Sequence, residues 1–139
     1  FSGTGTLAQV MAAKASRVTA VELVPDAVAS ARQNAELNSI TNCTFIAGDV
    51  FEVLNGLDHK PECILVDPPR AGITPKAWEK ILDYGVNEIV YISCNPQTMA
   101  ENLAAAVKHG YRVVKSCPVD QFPHTPHVEA VVLLHRKNG

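Results

Sequence analysis

The sequence has no surplus of positive charge: 12 Lys and Arg stand against 14 Asp and Glu, for a formal charge of −2 over 139 residues. A chain that followed a nucleic-acid backbone unaided would carry a basic excess. Any such substrate must therefore meet its basic surface elsewhere. No apolar run is long enough to span a bilayer, so no membrane association is expected. The four cysteines, Cys43, Cys63, Cys94 and Cys117, include no Cys-x-x-Cys pair, which argues against a zinc site or a disulfide framework. Reduced thiols in a cytoplasmic protein are the simplest reading. Repeats, low-complexity tracts and interdomain linkers are absent too. The chain opens at Phe1, without Met, directly on a Gly-rich turn, and the strand that normally leads into such a turn is missing. The expectation is an N-terminally truncated piece of a longer protein, whose unpaired strand edges favour self-association.

What is present suits one folded domain over residues 1–139. Hydrophobic residues make up 47% of the chain, ample for a core. Helical and extended patterns alternate with short connections, which predicts an α/β fold. Helices are expected over 7–15, 25–37, 50–54, 76–84 and 98–109, the last two closed by Gly85 and Gly110. Strands are expected over 18–22, 44–47, 63–66 and 88–92. Two long extended segments, 111–119 and 128–135, read as an antiparallel terminal pair around Pro118, Pro123 and Pro126.

Several polar groups fall at strand ends, where open α/β sheets place their ligands. Phe1-Ser-Gly-Thr-Gly-Thr6 opens a helix, and its two glycines allow close backbone approach to a polar or anionic ligand. Glu22, ending the next strand, is placed to accept ribose hydroxyls. NAD, FAD and S-adenosylmethionine all fit that pattern. Asp49 can bond an adenine amino group or cap a helix. Asp67-Pro-Pro-Arg70 ends the strand over 63–66, and its prolines fix a turn bearing Asp67 and Arg70. Cys94 follows the strand over 88–92 in Tyr91-Ile-Ser-Cys-Asn-Pro96. Alone it reads equally as a small buried hydrophobe. His124, His127 and Glu129 lie within six positions, but in a Pro-rich turn rather than on a helix face, so metal binding is not expected. His135 reads as an exposed polar residue. Glu129 stands at the mouth of an apolar strand, a setting that suits a general base.

Two of these runs are long and specific. Asp67-Pro-Pro-Arg-Ala-Gly72 with Ile89-Val-Tyr-Ile-Ser-Cys-Asn-Pro-Gln-Thr98 resembles the first signature of the RNA 5-methyluridine methyltransferases. Val119-Asp-Gln-Phe-Pro-His-Thr-Pro-His-Val-Glu129 is similar to their second. The resemblance spans essentially the whole chain. It implies a Rossmann-like class I fold with a mostly parallel sheet, an antiparallel C-terminal pair and the first strand missing. It also implies S-adenosylmethionine as cofactor and uracil C5 in transfer or ribosomal RNA as target. By position, it makes Cys94 the nucleophile and Glu129 the base. Phe1, Gly3, Gly5, Glu22, Asp49 and Asp67 then fall at the cofactor, while Arg70 and Asn95 are candidates for orienting the base or its phosphate. Such proteins usually carry an N-terminal RNA-binding domain, and some an iron–sulfur cluster, for which this chain has no ligands.

Three other readings compete. An amino-methyltransferase would place an aromatic residue where Arg70 stands and has no use for Cys94 and Glu129. A dehydrogenase fits the glycines and Glu22 but leaves both long runs unexplained. A cofactor-binding module without turnover fits the truncated chain.

Overall fold

A computed structural model describes residues 2–121, 123–125 and 127–137. The chain divides into two compact units, Phe1–His59 and Lys60–Gly139.

In the first unit, α1 (Thr6–Ala12), β1 (Val18–Glu22), α2 (Pro25–Leu37), β2 (Cys43–Ala47) and α3 (Val50–Asn55) follow in order. β1 and β2 pair in parallel from Val18–Cys43 to Glu22–Ala47. The core is built of small side chains, Ala8, Ala20, Val28, Ala31 and Ala35, around the single large ring of Phe45. Small residues let both helices lie close on the strands. α1 stops at Ala12, short of the expected Ala15. The reason is Asn42, whose Nδ2 donates to the carbonyls of Ala12 and Ala15, both 2.9 Å away. Those carbonyls are thereby satisfied outside a continuing helix.

The second unit contains β3 (Cys63–Val66), α4 (Pro75–Tyr84), β4 (Glu88–Ser93), α5 (Pro96–Lys108), β5 (Tyr111–Val119) and β6 (Glu129–Arg136). Its four strands lie in the order β3-β4-β6-β5. β3 and β4 are parallel, while β6 is antiparallel to both β4 and β5. The expected antiparallel terminal pair is present, but the pattern did not indicate that β6 inserts between β4 and β5. Along β4 the buried side chains alternate: Ile89, Tyr91 and Ser93 share one face. Trp78, Ile81 and Leu82 of α4 are buried with them, and the Trp78 and Tyr91 rings meet edge-on at 5.5 Å.

β5 is an edge strand exposed along nearly its whole length after Tyr111. Lys115, Pro118 and a register shift between Val113 and Lys115 all discourage further strand addition there. His135, expected to be simply exposed, is instead half-buried opposite Glu88, with Nε2 2.9 Å from Glu88 Oε1. The approach lies outside hydrogen-bonding geometry, so it is an electrostatic contact whenever the imidazole is protonated.

Gly5 meets two demands at once. Its φ of 83° is left-handed, and an added Cβ would lie 2.7 Å from the Phe45 ring and 2.9 Å from Ala31 Cβ. Gly5→Ala is therefore predicted to cost about 1–3 kcal/mol from overpacking alone, read by urea unfolding. A loss below roughly 0.5 kcal/mol, within the range of an ordinary surface change, would show that neither constraint operates.

Candidate active site

The expected cofactor loop is tied down by the carboxylate expected to serve it. Gly3, with φ 53°, donates its N–H to Glu22 Oε2 at 3.0 Å. Leu23 and Val24 donate theirs to Oε1 at 2.8 and 3.2 Å. Burial alone would push this carboxyl up, but the three backbone N–H groups outweigh it, and Glu22 is held below its ordinary value. A Cβ at Gly3 would meet no atom within 4 Å, so the loop faces open space there, as close ligand approach requires. Asp49 is the N-cap of α3, its Oδ1 accepting from Phe51 N–H at 2.8 Å and Glu52 N–H at 3.3 Å. Of its two sequence-level readings, capping is the one visible. Phe1 lies outside the described residues.

In the second unit, Asp67 follows β3 directly. It is exposed by area, yet recessed enough that partial burial pushes its carboxyl up. The Asp67–Gly72 turn closes through Gly72 N–H to Pro69 O at 2.8 Å. Its far side is fastened to the start of α5. Asn95 Nδ2 and Thr98 Oγ1 both donate to Arg70 O, at 3.1 and 3.3 Å. Asn95 also caps α5, with Oδ1 accepting from Gln97 N–H at 3.1 Å. Its amide thus helps to hold the turn, with one N–H and one lone pair engaged. Arg70 Nη2 lies 3.5 Å from His127 Nδ1, which links the Asp-Pro-Pro-Arg turn to the segment leading into Glu129.

Cys94 is half-buried between β4 and the α5 cap. The turn that carries it is braced by Ser93, buried to 3% exposure. Ser93 Oγ donates to Asn95 O at 3.0 Å and accepts from Asn95 N–H at 2.9 Å. The last pair in the β4–β6 ladder is Ser93 with Ala130. One position further, the two strands run into Cys94 and Glu129. Cys43 and Cys63 have their thiols pushed up by burial, away from the thiolate form. Phe122 and Pro126 of the second signature fall outside the described residues, and among the described residues no three His, Cys, Asp or Glu side chains gather as metal ligands.

A buried amide not singled out in the sequence underlies both turns. Asn102 on α5 accepts at Oδ1 from Tyr91 O–H at 2.7 Å and from Ile73 N–H at 3.1 Å. Its Nδ2 donates to Ile73 O at 3.0 Å, and its backbone carbonyl accepts from Trp78 Nε1 at 2.7 Å. A polar residue on the inward face of a predicted helix was the available signal.

The profile described as tRNA (Uracil-5-)-methyltransferase matches residues 1–137. The chain belongs to this family. It is 48% identical over 138 residues to an uncharacterized RNA methyltransferase of Clostridium tetani, covering 99% of this chain and 30% of that protein. A Porphyromonas gingivalis relative, also an uncharacterized RNA methyltransferase, is 47% identical over 141 residues, covering 98% and 30%. The chain thus spans about 30% of the length of these relatives. Among solved structures it resembles the Pyrococcus abyssi tRNA (uracil-54, C5)-methyltransferase in complex with S-adenosyl-L-homocysteine. That match has a TM-score of 0.79 at 33% identity, over 96% of this chain and 32% of that one. A Streptococcus thermophilus rRNA methylase matches in fold alone, with a TM-score of 0.75 at 15% identity, over 99% and 84%. The fold is that of the class I S-adenosylmethionine-dependent methyltransferases, as the two signatures implied.

Tyr91 gives the buried network a pH signature. Burial pushes its hydroxyl from the ordinary 10.0 up to about 12, and Asn102 Oδ1 accepts only from the protonated form. With the folded value raised, the contribution to stability is complete below pH 10 and is lost as pH climbs toward 12. Urea unfolding across that window should show this decline in the wild type. Tyr91→Phe should be less stable at neutral pH by about 1 kcal/mol, yet flatter above pH 10. Parallel curves for the two proteins would mean that another group titrates.

Proposed function

We propose that the protein to which this chain contributes methylates uracil C5 in a transfer or ribosomal RNA, through a transient bond between Cys94 Sγ and uracil C6. The observation that carries the reading is the meeting of β4 and β6, which run into Cys94 and Glu129 one position beyond the Ser93–Ala130 pair. Family membership over residues 1–137 supports the same assignment.

Uracil C5 is too weakly nucleophilic to take a methyl group unaided. Addition of the Cys94 thiolate to C6 pushes the ring electrons toward O4 and makes C5 an enolate-like carbon. S-adenosylmethionine, when bound, supplies an electrophilic methyl group on a sulfonium. Once C5 carries the methyl, Glu129 accepts the C5 proton as general base. The electrons of that C–H bond re-form the C5–C6 double bond, and the Cys94 thiolate departs. The Ser93–Asn95 brace holds the thiol-bearing turn still through these steps.

Gly3, Gly5, Glu22 and Asp49 suit a cofactor role in the first unit, and Asp67, from the first signature, suits one in the second. Glu22 is kept ionised, as acceptance from ribose hydroxyls requires. A hydroxyl on Oε2 would share that oxygen with Gly3 N–H, so ligand binding and loop geometry are coupled. A paired uridine is out of reach, so the target lies in a loop or is flipped from its stack. The charge of −2 favours main phosphate contacts made by other parts of the full-length protein.

In that full-length protein, Cys94→Ala should bring methyl transfer to background while leaving S-adenosylhomocysteine affinity unchanged, read by calorimetry. Glu129→Gln should slow turnover by about 10²–10⁴-fold and accumulate a covalent RNA adduct, visible on a denaturing gel. Methyl transfer surviving in Cys94→Ala would remove the nucleophile assignment. An absence of adduct in Glu129→Gln would pass the base role to another group.

A further inference from the structure

We propose that Asn102 is a positioning residue for this reaction: it sets the placement of the Cys94 turn relative to the Asp67–Arg70 turn. The inference rests on the Cys94 reading above. Asn102 is 8% exposed and touches no expected substrate position, yet its one side chain joins three elements. Through Oδ1 it holds Tyr91, three residues before Cys94 on β4. Through Oδ1 and Nδ2 together it holds both backbone groups of Ile73, immediately after Gly72. It sits on α5, the helix that begins beside Cys94 and is capped by Asn95.

The fit at Gly72 shows how closely the turn is seated. With φ at 77°, an added Cβ would come 3.2 Å from Asn102 Oδ1 and 3.1 Å from Thr98 Cβ. An amide suits this post because it offers a donor and an acceptor on one planar group. Ile73 presents both complements, and the second lone pair of Oδ1 is left for Tyr91. Among the described side-chain hydrogen bonds, an apolar residue would leave the exposed ones from Asn95 and Thr98 to Arg70 O to join the two turns. Placement errors near 1 Å at a reacting centre are enough to slow it about 10²-fold.

The test uses the full-length protein with 5-fluorouridine-substituted RNA, in which C5 cannot release its substituent and the Cys94 adduct persists. Single-turnover adduct formation at saturating S-adenosylmethionine is followed beside kcat and thermal stability. Asn102→Ala should slow adduct formation and kcat at least tenfold. Asn102→Asp keeps both bonds accepted by Oδ1 but sets an oxygen against Ile73 O in place of the Nδ2 donor, so it should recover only part of that rate. Tyr111→Phe serves as the structural control, since it removes a comparably buried bond, to Val86 O at 2.9 Å, outside the network. It should lower stability while keeping wild-type turnover.

Wild-type adduct rates in Asn102→Ala would overturn the proposal, as would an equal loss in Tyr111→Phe. Should Asn102→Ala not fold, Tyr91→Phe removes a single tie and should slow adduct formation about threefold; an unchanged rate there overturns the proposal. Cys94→Ala run in parallel keeps the two readings separate. If that variant stays active the nucleophile assignment fails, whereas its inactivity beside a fully active Asn102→Ala sinks only the positioning role.

Discussion

Asn102 concentrates in one side chain the hydrogen bonds that let the second unit keep irregular backbone beside a packed core. The Asp-Pro-Pro-Arg turn cannot join the sheet, since two prolines remove its donors. Its return path at Ile73 is buried, and a buried peptide group without a partner costs about 1–3 kcal/mol. The amide answers both ends of that peptide position and still reaches the Tyr91 hydroxyl. A low-dielectric surrounding strengthens each of these bonds and raises the penalty for losing one. The remaining ties follow from this anchorage. Because Ile73 is fixed, Arg70 O comes within reach of Asn95 and Thr98. Because α5 is fixed, the Ser93–Asn95 brace has a rigid helix to lean on.

The first unit solves a similar problem with charge. Glu22 gathers the N–H groups of Gly3, Leu23 and Val24, so the loop before α1 and the turn after β1 share one ionised anchor. The alanine-rich core beneath gives the loop its tight seat, and the Phe45 ring leaves no room for a side chain at Gly5. The shape of the Gly3–Gly5 loop and the packing of the core are therefore one constraint, not two.

Periodicity and turn chemistry made the elements legible. The helix start at Pro25 and the stop at Gly85 lie where the residues suggest, while α5 begins at Pro96, two residues before the expected Thr98. Cys94, Glu129 and Asp67 stand out in the sequence because each sets a reactive group at the end of an apolar strand. Three features were not legible there. Strand order depends on non-local pairing, and the alternation in β6 is the same beside β4 as at an edge. The end of α1 depends on Asn42, thirty residues from Ala12. Asn102 looked like one more polar helix residue, because its partners Ile73, Tyr91 and Trp78 come together only in three dimensions. Asn95 adds a part the sequence did not indicate: besides its place beside Cys94, its amide caps α5 and ties down Arg70 O.

The place of β6 bears on how the candidate site is assembled. It is the last in sequence of the six strands among the described residues, yet it lies inside the second sheet, with β4 and β5 as neighbours on either side. The edge of β4 that leads to Cys94 is therefore unpaired until β6 joins it. Glu129 comes with that strand. Cys94 and Glu129 are thus brought together by the pairing of β4 with β6. A chain shortened within β6 would lose an inner stave of the sheet rather than a fraying tail.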